Sequence, residues 1–597
     1  MLTTTLLAVL ALSIPSSAKP CPPLGRTLPA PTAPSTNSAV KQAGEALAKQ
    51  LQDTLQPLLS QSAVSVAVKS LHEDKPLFNW HFTPTNMSGI GTTKVDENTI
   101  YRVGSFSKVV AALVALQSDK IDMQASVLKY LPDLKKSVSL DAHHFDWEDI
   151  TVESLASHLS GIPTSIATDL AVFSQIPWTA LGLPPVVDGT GPTCSGFGGT
   201  PKCTPKDILD TINRNAAIFK PFTSPAYSST AYGVLGMVLE AATGKKFADL
   251  AKEAVFDVAG MKASSFEGFI PSLENRVFVP QQEETWNGTL GVFEAAGGMF
   301  SSTSDMLAFA DAIMANRLLS PAATRAWMKP KTHTASLSFS VGAPWEILRS
   351  TRLAKDGRVI DVYTKTGDLG QYHAHAGIVP DYDISVSVLT GGQEVAQDPH
   401  AATEIFSSTV KALIPAIDEA ARSEASSDRG HIATYVDKDS KSKLVLAIDN
   451  GPGTNIREFT VRGFDVLSHI SLYSLDGIQH ASNSTEKPFV DGRLYPSDMS
   501  TSKTVKRRDH SKQWEAREDV SGSRDVFRAV FETATHAQRH ALEDKLFYED
   551  GACESWFNLD QRLYDFNSLG EFQFIKDDAG AVKAVENEAF GVTMVKV

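Results

Sequence analysis

Tyr101-Arg102-Val103-Gly104-Ser105-Phe106-Ser107-Lys108-Val109-Val110-Ala111-Ala112-Leu113-Val114-Ala115-Leu116 brings a hydroxyl, an amine and an apolar run into one short segment. Val109, Val110, Leu113, Val114 and Leu116 predict a buried helix, with Ser105 at its N-terminus. Free amide N–H groups and the positive end of the helix dipole there can stabilise an oxyanion formed when a hydroxyl attacks a carbonyl. Lys108, three residues on, shares a helix face with Ser105 and lies within reach of proton transfer. Spacing alone proves little, because Ser38 and Lys41, Ser126 and Lys129, Ser408 and Lys411, and Ser440 and Lys443 repeat it. None of these opens so apolar a helix. Lys108 acts as a base only when neutral, which requires burial and a nearby positive charge; Lys365 is the candidate for that charge.

Upstream, Ala43 to Leu59 carries Leu47, Leu51, Leu55, Leu58 and Leu59 at helical spacing, and Ala63 to Val68 alternates as a strand does. Ile384 to Leu389 reads as a strand able to share that sheet, while Thr230 to Ala242 and Thr303 to Ala315 read as helices. Early strand, helical middle and late strands predict an α+β domain over 43–421. At 597 residues the chain exceeds one ordinary core. Residues 19–42 are rich in Pro, Ser and Thr and read as an extended arm. Residues 422–430 are polar and charged, as a linker is, and 431–597 read as short strands of a β-rich accessory domain.

The composition, 42% hydrophobic and 21% charged, is that of a soluble globular protein. A net charge of -14 gives no reason to expect a nucleic-acid partner, and the basic run Lys503 to Arg508, followed by Arg517, reads as a solvated loop. Residues 1–18 read as a secretory signal: Leu6 to Leu12 is apolar, and Pro15, Ser16, Ser17 and Ala18 suit cleavage before Lys19, although no Lys or Arg precedes the run. Past it, nothing approaches the length of a spanning segment, so no membrane association is expected of the mature form. Export makes two disulfides the expectation for Cys21, Cys194, Cys203 and Cys553. Cys194 and Cys203 flank a short loop and form the favoured local pair, leaving Cys21 for Cys553, with other pairings open. Asn86-Met87-Ser88, Asn287-Gly288-Thr289 and Asn483-Ser484-Thr485 match the glycosylation acceptor pattern of a eukaryotic secretory pathway.

Three motifs in order resemble those of the serine β-lactamase and penicillin-binding-protein superfamily, particularly class C β-lactamases, related esterases and peptidases, and secreted fungal β-lactamase-like proteins. Tyr101 to Lys108 resembles the nucleophile motif, Tyr227-Ser228-Ser229 the Tyr-x-Asn motif, and Lys365-Thr366-Gly367 the Lys-Thr-Gly strand. Leu155-Ala156-Ser157-His158-Leu159-Ser160-Gly161-Ile162-Pro163, Tyr232-Gly233-Val234-Leu235-Gly236 and Ala296-Gly297-Gly298-Met299-Phe300-Ser301 are also similar. The resemblance covers about Ala43 to Ala421. It implies an antiparallel sheet flanked by helices with a helical subdomain. It also implies Ser105 as nucleophile, Lys108 and Tyr227 sharing proton transfer, and an oxyanion hole from the amides of Ser105 and Asp368. Ser229, Lys365, Thr366, Gly367 and Asp368 would line the substrate site.

Two positions depart from the pattern. A carboxylate at Asp368 repels anionic substrates, including the carboxylate of a β-lactam, unless it points away. Ser229, where Asn is usual, lacks an amide for a substrate's acylamino group. The expected activity is therefore hydrolysis of an ester or amide, in a small molecule or short peptide, through a Ser105 acyl-enzyme and without a cofactor. Interception of the acyl group by an alcohol or amine would make the protein an acyltransferase or cyclase for a small metabolite. A catalytically inactive ligand-binding protein of the same fold is the other alternative. His373 and His375 alternate on a strand but show no companion metal-ligand motif, and His158 reads as supporting a turn, so no metal is expected.

Overall fold

A computed structural model of the protein describes residues 21–135, 144–164, 169–173, 175–186, 194–195, 201–283, 286–473, 491–501, 522–532 and 555–597, the side chains of 557 and 558 excepted. The backbone separates into two compact units. The larger comprises Pro31–Leu353 and Ile360–Ala420; the smaller comprises the chain up to Ala30, Ala354–Val359 and Ala421–Val597.

In the larger unit, α1 (Ser38–Leu55) buries Val40, Leu47 and Leu51, with Asn37 capping its first turn by accepting from the Ala39 amide. The alternating segment forms β1 (Ala63–Ser70), followed by β2 (Phe78–Phe82). Far along the chain come β3 (Thr332–His333), β4 (Phe339–Val341), β5 (Glu346–Ser350), β6 (Ile360–Leu369), β7 (Tyr372–Val379) and β8 (Ile384–Gly391). These strands make one antiparallel sheet in the order β2-β1-β8-β7-β6-β5-β4-β3. As the patterns predict, β1 and β8 are neighbours, with Ala63 opposite Gly391 and Ser70 opposite Ile384. Both strands are buried on both faces, the condition under which a strand carries a near-continuous apolar run.

Between β2 and β3 lie the helices α2 (Ser107–Gln117), α3 (Ser229–Thr243) and α4 (Thr303–Met314). Residues Ser107 to Ala115 of α2 are buried without interruption. A helix apolar all round must sit inside a core, and α2 runs through the main one, among Tyr101, Phe106, Tyr232 and Phe309. Helix α4 packs on β1 and β8. The α+β architecture is that of the β-lactamase and transpeptidase fold.

The smaller unit is β-rich. Its strands β9 (Thr434–Asp437), β10 (Ser442–Ala447), β11 (Thr454–Val461), β12 (Phe464–Asp465), β13 (Asp491–Thr501), β14 (Arg524–Glu532), β15 (Glu571–Lys576), β16 (Val582–Asn587) and β17 (Val592–Lys596) pair in the order β10-β9-β17-β16-β15-β14-β13-β11-β12. A further β10–β11 pairing closes the sheet into a barrel. Closure removes unpaired edges, and Tyr435, Phe459, Phe527, Phe572 and Phe574 fill the interior.

Two expectations of chain organisation are corrected. The 422–430 segment does not begin as a linker, because α5 (Ala401–Ala425) continues through its first residues. Arg422 is only 8% exposed, donating to Asp356 Oδ2 at 3.1 Å and to the Asp449 carbonyl at 3.1 Å. A buried ion pair is invisible in composition, which counts Arg422 as a solvated charge. The arm expected over 19–42 ends earlier, because Ser38 begins α1, and Leu28 within it is buried with Ala421 and Ala425 in the smaller unit.

Cys194 and Cys203 form a disulfide. Cys21 Sγ lies 3.5 Å from Ser555 Oγ, whereas Cys553, its expected partner, lies outside the described residues, as do residues 1–18, Asn483 and the basic run at 503–508. Asn86 and Asn287 are exposed. Among the described residues no helix is long and apolar enough to cross a membrane.

Candidate active site

A single 3-10 turn, Gly104–Phe106, leads into α2 and presents Ser105. Gly104 has φ +50°, and a Cβ there would lie 2.6 Å from the Asp368 amide nitrogen. Gly367 answers from β6, where a Cβ would collide with the Val103 carbonyl and lie 2.8 Å from the Ser105 nitrogen. Glycine at both positions lets strand and turn come into backbone contact beside the Ser105 and Asp368 nitrogens. Ser107 locks the turn from below, donating to the Gly104 carbonyl at 2.7 Å and accepting from the Met299 amide at 3.0 Å.

Lys108 is fully buried, and its ammonium donates to Ser105 Oγ at 2.9 Å, to the Ala296 carbonyl at 2.7 Å and to Ser229 Oγ at 3.3 Å. Burial, reinforced by the Lys365 charge and opposed by Tyr227, brings its pKa down to about 8. Tyr227 donates to the same Ser105 Oγ at 2.6 Å. Its ring centroid lies 4.9 Å from Lys108 Nζ and 5.2 Å from Lys365 Nζ. Burial acts to raise its pKa, but Lys365 and Lys108 outweigh it and hold the phenol below its ordinary value.

His158 fixes the tyrosine. It has φ +59°, its carbonyl accepts from the Ala226 amide at 2.8 Å and its Nδ1 accepts from the Ser228 amide at 3.1 Å. Its ring lies 4.6 Å from that of Tyr227, centroid to centroid. The backbone on both sides of Tyr227 is thus held by one histidine, which burial and the two lysine charges keep neutral.

Lys365 donates to Glu346 Oε1 at 2.5 Å and to the Thr366 carbonyl at 2.9 Å. Burial alone would lower its pKa; Glu346 beside it outweighs burial and raises it. Thr366 is bound to the same carboxylate through its amide, at 2.8 Å, and its hydroxyl, at 3.0 Å. Asp368 accepts from His373 Nδ1 at 2.5 Å, with its side chain 60% exposed. His375 goes elsewhere, to Thr403 Oγ1 at 3.1 Å and against the Phe406 ring. Among the described residues no group of three or more potential ligands could hold a metal ion.

The structure therefore brings Ser105, Lys108, Tyr227, Ser229, Lys365, Thr366, Gly367 and Asp368 to one place. Ser229 turns toward Lys108. Sequence reasoning missed Glu346, because its tie to Lys365 depends on the β5–β6 register, in which Glu346 stands opposite Thr364. His158 stood inside a recognised stretch, but only its backbone contacts with residues 226 and 228 reveal what it holds.

Fold and site together define a protein of the serine β-lactamase and penicillin-binding-protein superfamily. The chain belongs to the Beta-lactamase family, whose pattern matches residues 44–408. Residues 421–597 match the "Beta-lactamase-like-like, C-terminal domain". A "Beta-lactamase-like protein" of Arthroderma benhamiae is 28% identical over 97% of this chain and 96% of its own length. A "Probable hydrolase M10" of Phoma sp. is 25% identical over 68% of this chain and 67% of its own. Among solved structures, the D-amino acid amidase of Ochrobactrum anthropi is similar at 16% identity, covering 64% of this chain and 99% of that one, with a TM-score of 0.47.

Proposed function

We propose that the protein is a secreted serine hydrolase that cleaves an ester or amide of a small molecule or short peptide through an acyl-enzyme on Ser105. The observation that carries this reading is the convergence of Tyr227 Oη, at 2.6 Å, and Lys108 Nζ, at 2.9 Å, on one serine oxygen. With Lys108 neutral, or Tyr227 ionised, the Ser105 proton passes to that pair as Oγ bonds to the substrate carbonyl carbon. The carbonyl oxygen becomes an oxyanion facing the amides of Ser105 and Asp368. Collapse of the intermediate breaks the bond to the leaving group, which takes the proton from the pair. Water then repeats the sequence, and the acyl group leaves as an acid. Lys365 stays charged throughout and favours the phenolate. No step calls for a cofactor.

Secretion is supported by the apolar segment Leu6 to Leu12, by the Cys194–Cys203 disulfide and by the exposed acceptor positions Asn86 and Asn287. Intact-protein mass spectrometry of the secreted chain tests both parts. The deglycosylated mature chain should begin at Lys19. A fluorophosphonate should add one adduct to the wild type and none to Ser105→Ala. A folded wild type that takes no adduct would refute the nucleophile.

A further inference from the structure

Beside the nucleophile, two side chains have the chemistry to recognise a substrate anion: the Lys365 ammonium and the Thr366 hydroxyl. Both are already committed. Lys365 Nζ donates to Glu346 Oε1 at 2.5 Å, and the one hydroxyl proton of Thr366 is shared with the Glu346 oxygens at 3.0 and 3.1 Å. The carboxylate also takes the Thr366 amide at 2.8 Å, so it is fixed by three donors. Glu346 is the first residue of β5 and stands opposite Thr364 on β6. Its carboxylate thus takes up the donors that a substrate carboxylate would otherwise use at this strand.

Asp368 adds a second negative charge. It lies two residues beyond Thr366 on β6, hence on the same side of the strand, and its side chain is 60% exposed, with Oδ1 accepting from His373 Nδ1. A ligand carboxylate brought to this edge meets two protein carboxylates and finds its natural donors occupied. Like charges at close range disfavour binding, and a donor already satisfied gains nothing by exchange.

We infer that Glu346 and Asp368 set substrate choice at this site, selecting esters and amides that carry no free carboxylate beside the scissile bond. This rests on Ser105 being the nucleophile. The specificity is thus built by the protein's own acids rather than by a missing cation, since Lys365 is present in the pattern that would bind an anion.

The test uses two thioesters alike except that one thiol leaving group carries a carboxymethyl group and the other its carboxamide. Each competes with a fluorophosphonate for Ser105 in the full-length protein, and the concentration that halves early labelling is read by mass spectrometry, which requires no assay of product. The carboxamide should protect at a concentration at least tenfold lower than the carboxylate. Asp368→Asn and Glu346→Gln should each narrow that ratio severalfold, and Asp368→Asn changes an exposed side chain, so it keeps the question open even if Glu346→Gln fails to fold. Labelling without discrimination between the thioesters overturns the inference and leaves the nucleophile standing. A ratio unchanged in Asp368→Asn and in any folded Glu346→Gln also overturns it. Absence of labelling in folded protein removes the nucleophile and this inference with it.

Discussion

Two lysines only a few ångströms from one phenol ring do opposite things because of what else touches them. Lys365 has Glu346 at 2.5 Å and is held charged, whereas Lys108 faces a serine, a carbonyl and a second serine and is brought down to about 8. Pushing two neighbouring groups apart in this way assigns them different protonation roles. In the proposed mechanism the base is the neutral Lys108 amine, so kcat/KM for an activated, uncharged ester should rise with pH through a limb near 8 and level off above it. The limb belongs to Lys108 and Tyr227 jointly. Because the Lys365 charge lowers both groups, Lys365→Met should move it upward, and an unmoved limb would contradict the arrangement. Lys108→Met should cost roughly 10²–10⁴-fold in kcat/KM at neutral pH. That Ser105, Lys108 and Tyr227 belong together was legible in the sequence, because Ser105 and Lys108 are one helical turn apart and the tyrosine motif is local. Glu346 was not, since a lone glutamate ahead of a strand says nothing until the strand beside it is known.

At the level of elements, the site exists because β6 lies against the turn before α2. That approach is possible only with glycine on both sides: Gly104, whose φ of +50° few residues adopt, and Gly367, whose added Cβ would strike the Val103 carbonyl. Gly367→Ala should force strand and turn apart and separate the Asp368 amide from that of Ser105. A displacement of about 1 Å at reacting groups costs on the order of 10²-fold in rate, and the core behind them, filled by Phe106 and Phe309, is untouched. The expected result is therefore a large loss in kcat/KM with a fall in Tm of only a few degrees. A variant of full activity would show that the close approach is not required. Periodicity disclosed α2, β1 and β8, because a helix buried all round and strands buried on both faces leave strong apolar signatures. It could not disclose that α5 carries on to Ala425, where Arg422 is neutralised by Asp356, a residue 66 positions earlier.

Across the two units one electrostatic habit recurs among the described residues: each buries at least one neutral histidine. In the larger unit His375 is 8% exposed, stacked on Phe406, and burial brings its pKa to about 4. In the barrel His431 is 4% exposed between Phe527 and Phe574, and burial brings it to about 3. A histidine whose folded pKa lies below the ordinary 6.5 contributes stability that is fully present above 6.5 and is lost as pH falls from there toward the folded value. For His375 the loss at pH 5 amounts to ~2 kcal/mol, at about 1.4 kcal/mol per pH unit. Glu294 and Asp305, raised by burial, act in the opposite sense, so the measurement must isolate the histidine. Trp80, Trp147, Trp178, Trp286, Trp327 and Trp345 all belong to the larger unit, and urea unfolding followed by tryptophan fluorescence at pH 5, 6 and 7 is weighted toward it. Between pH 5 and 6, where folded and unfolded states differ by nearly one proton at this site, the wild type should lose more stability on acidification than His375→Gln, by roughly 1 kcal/mol. The glutamine removes the titrating ring but not the constant cost of altered packing, which cancels when slopes rather than stabilities are compared. Equal slopes in the two proteins would mean that His375 is already protonated, or solvated, in the folded state.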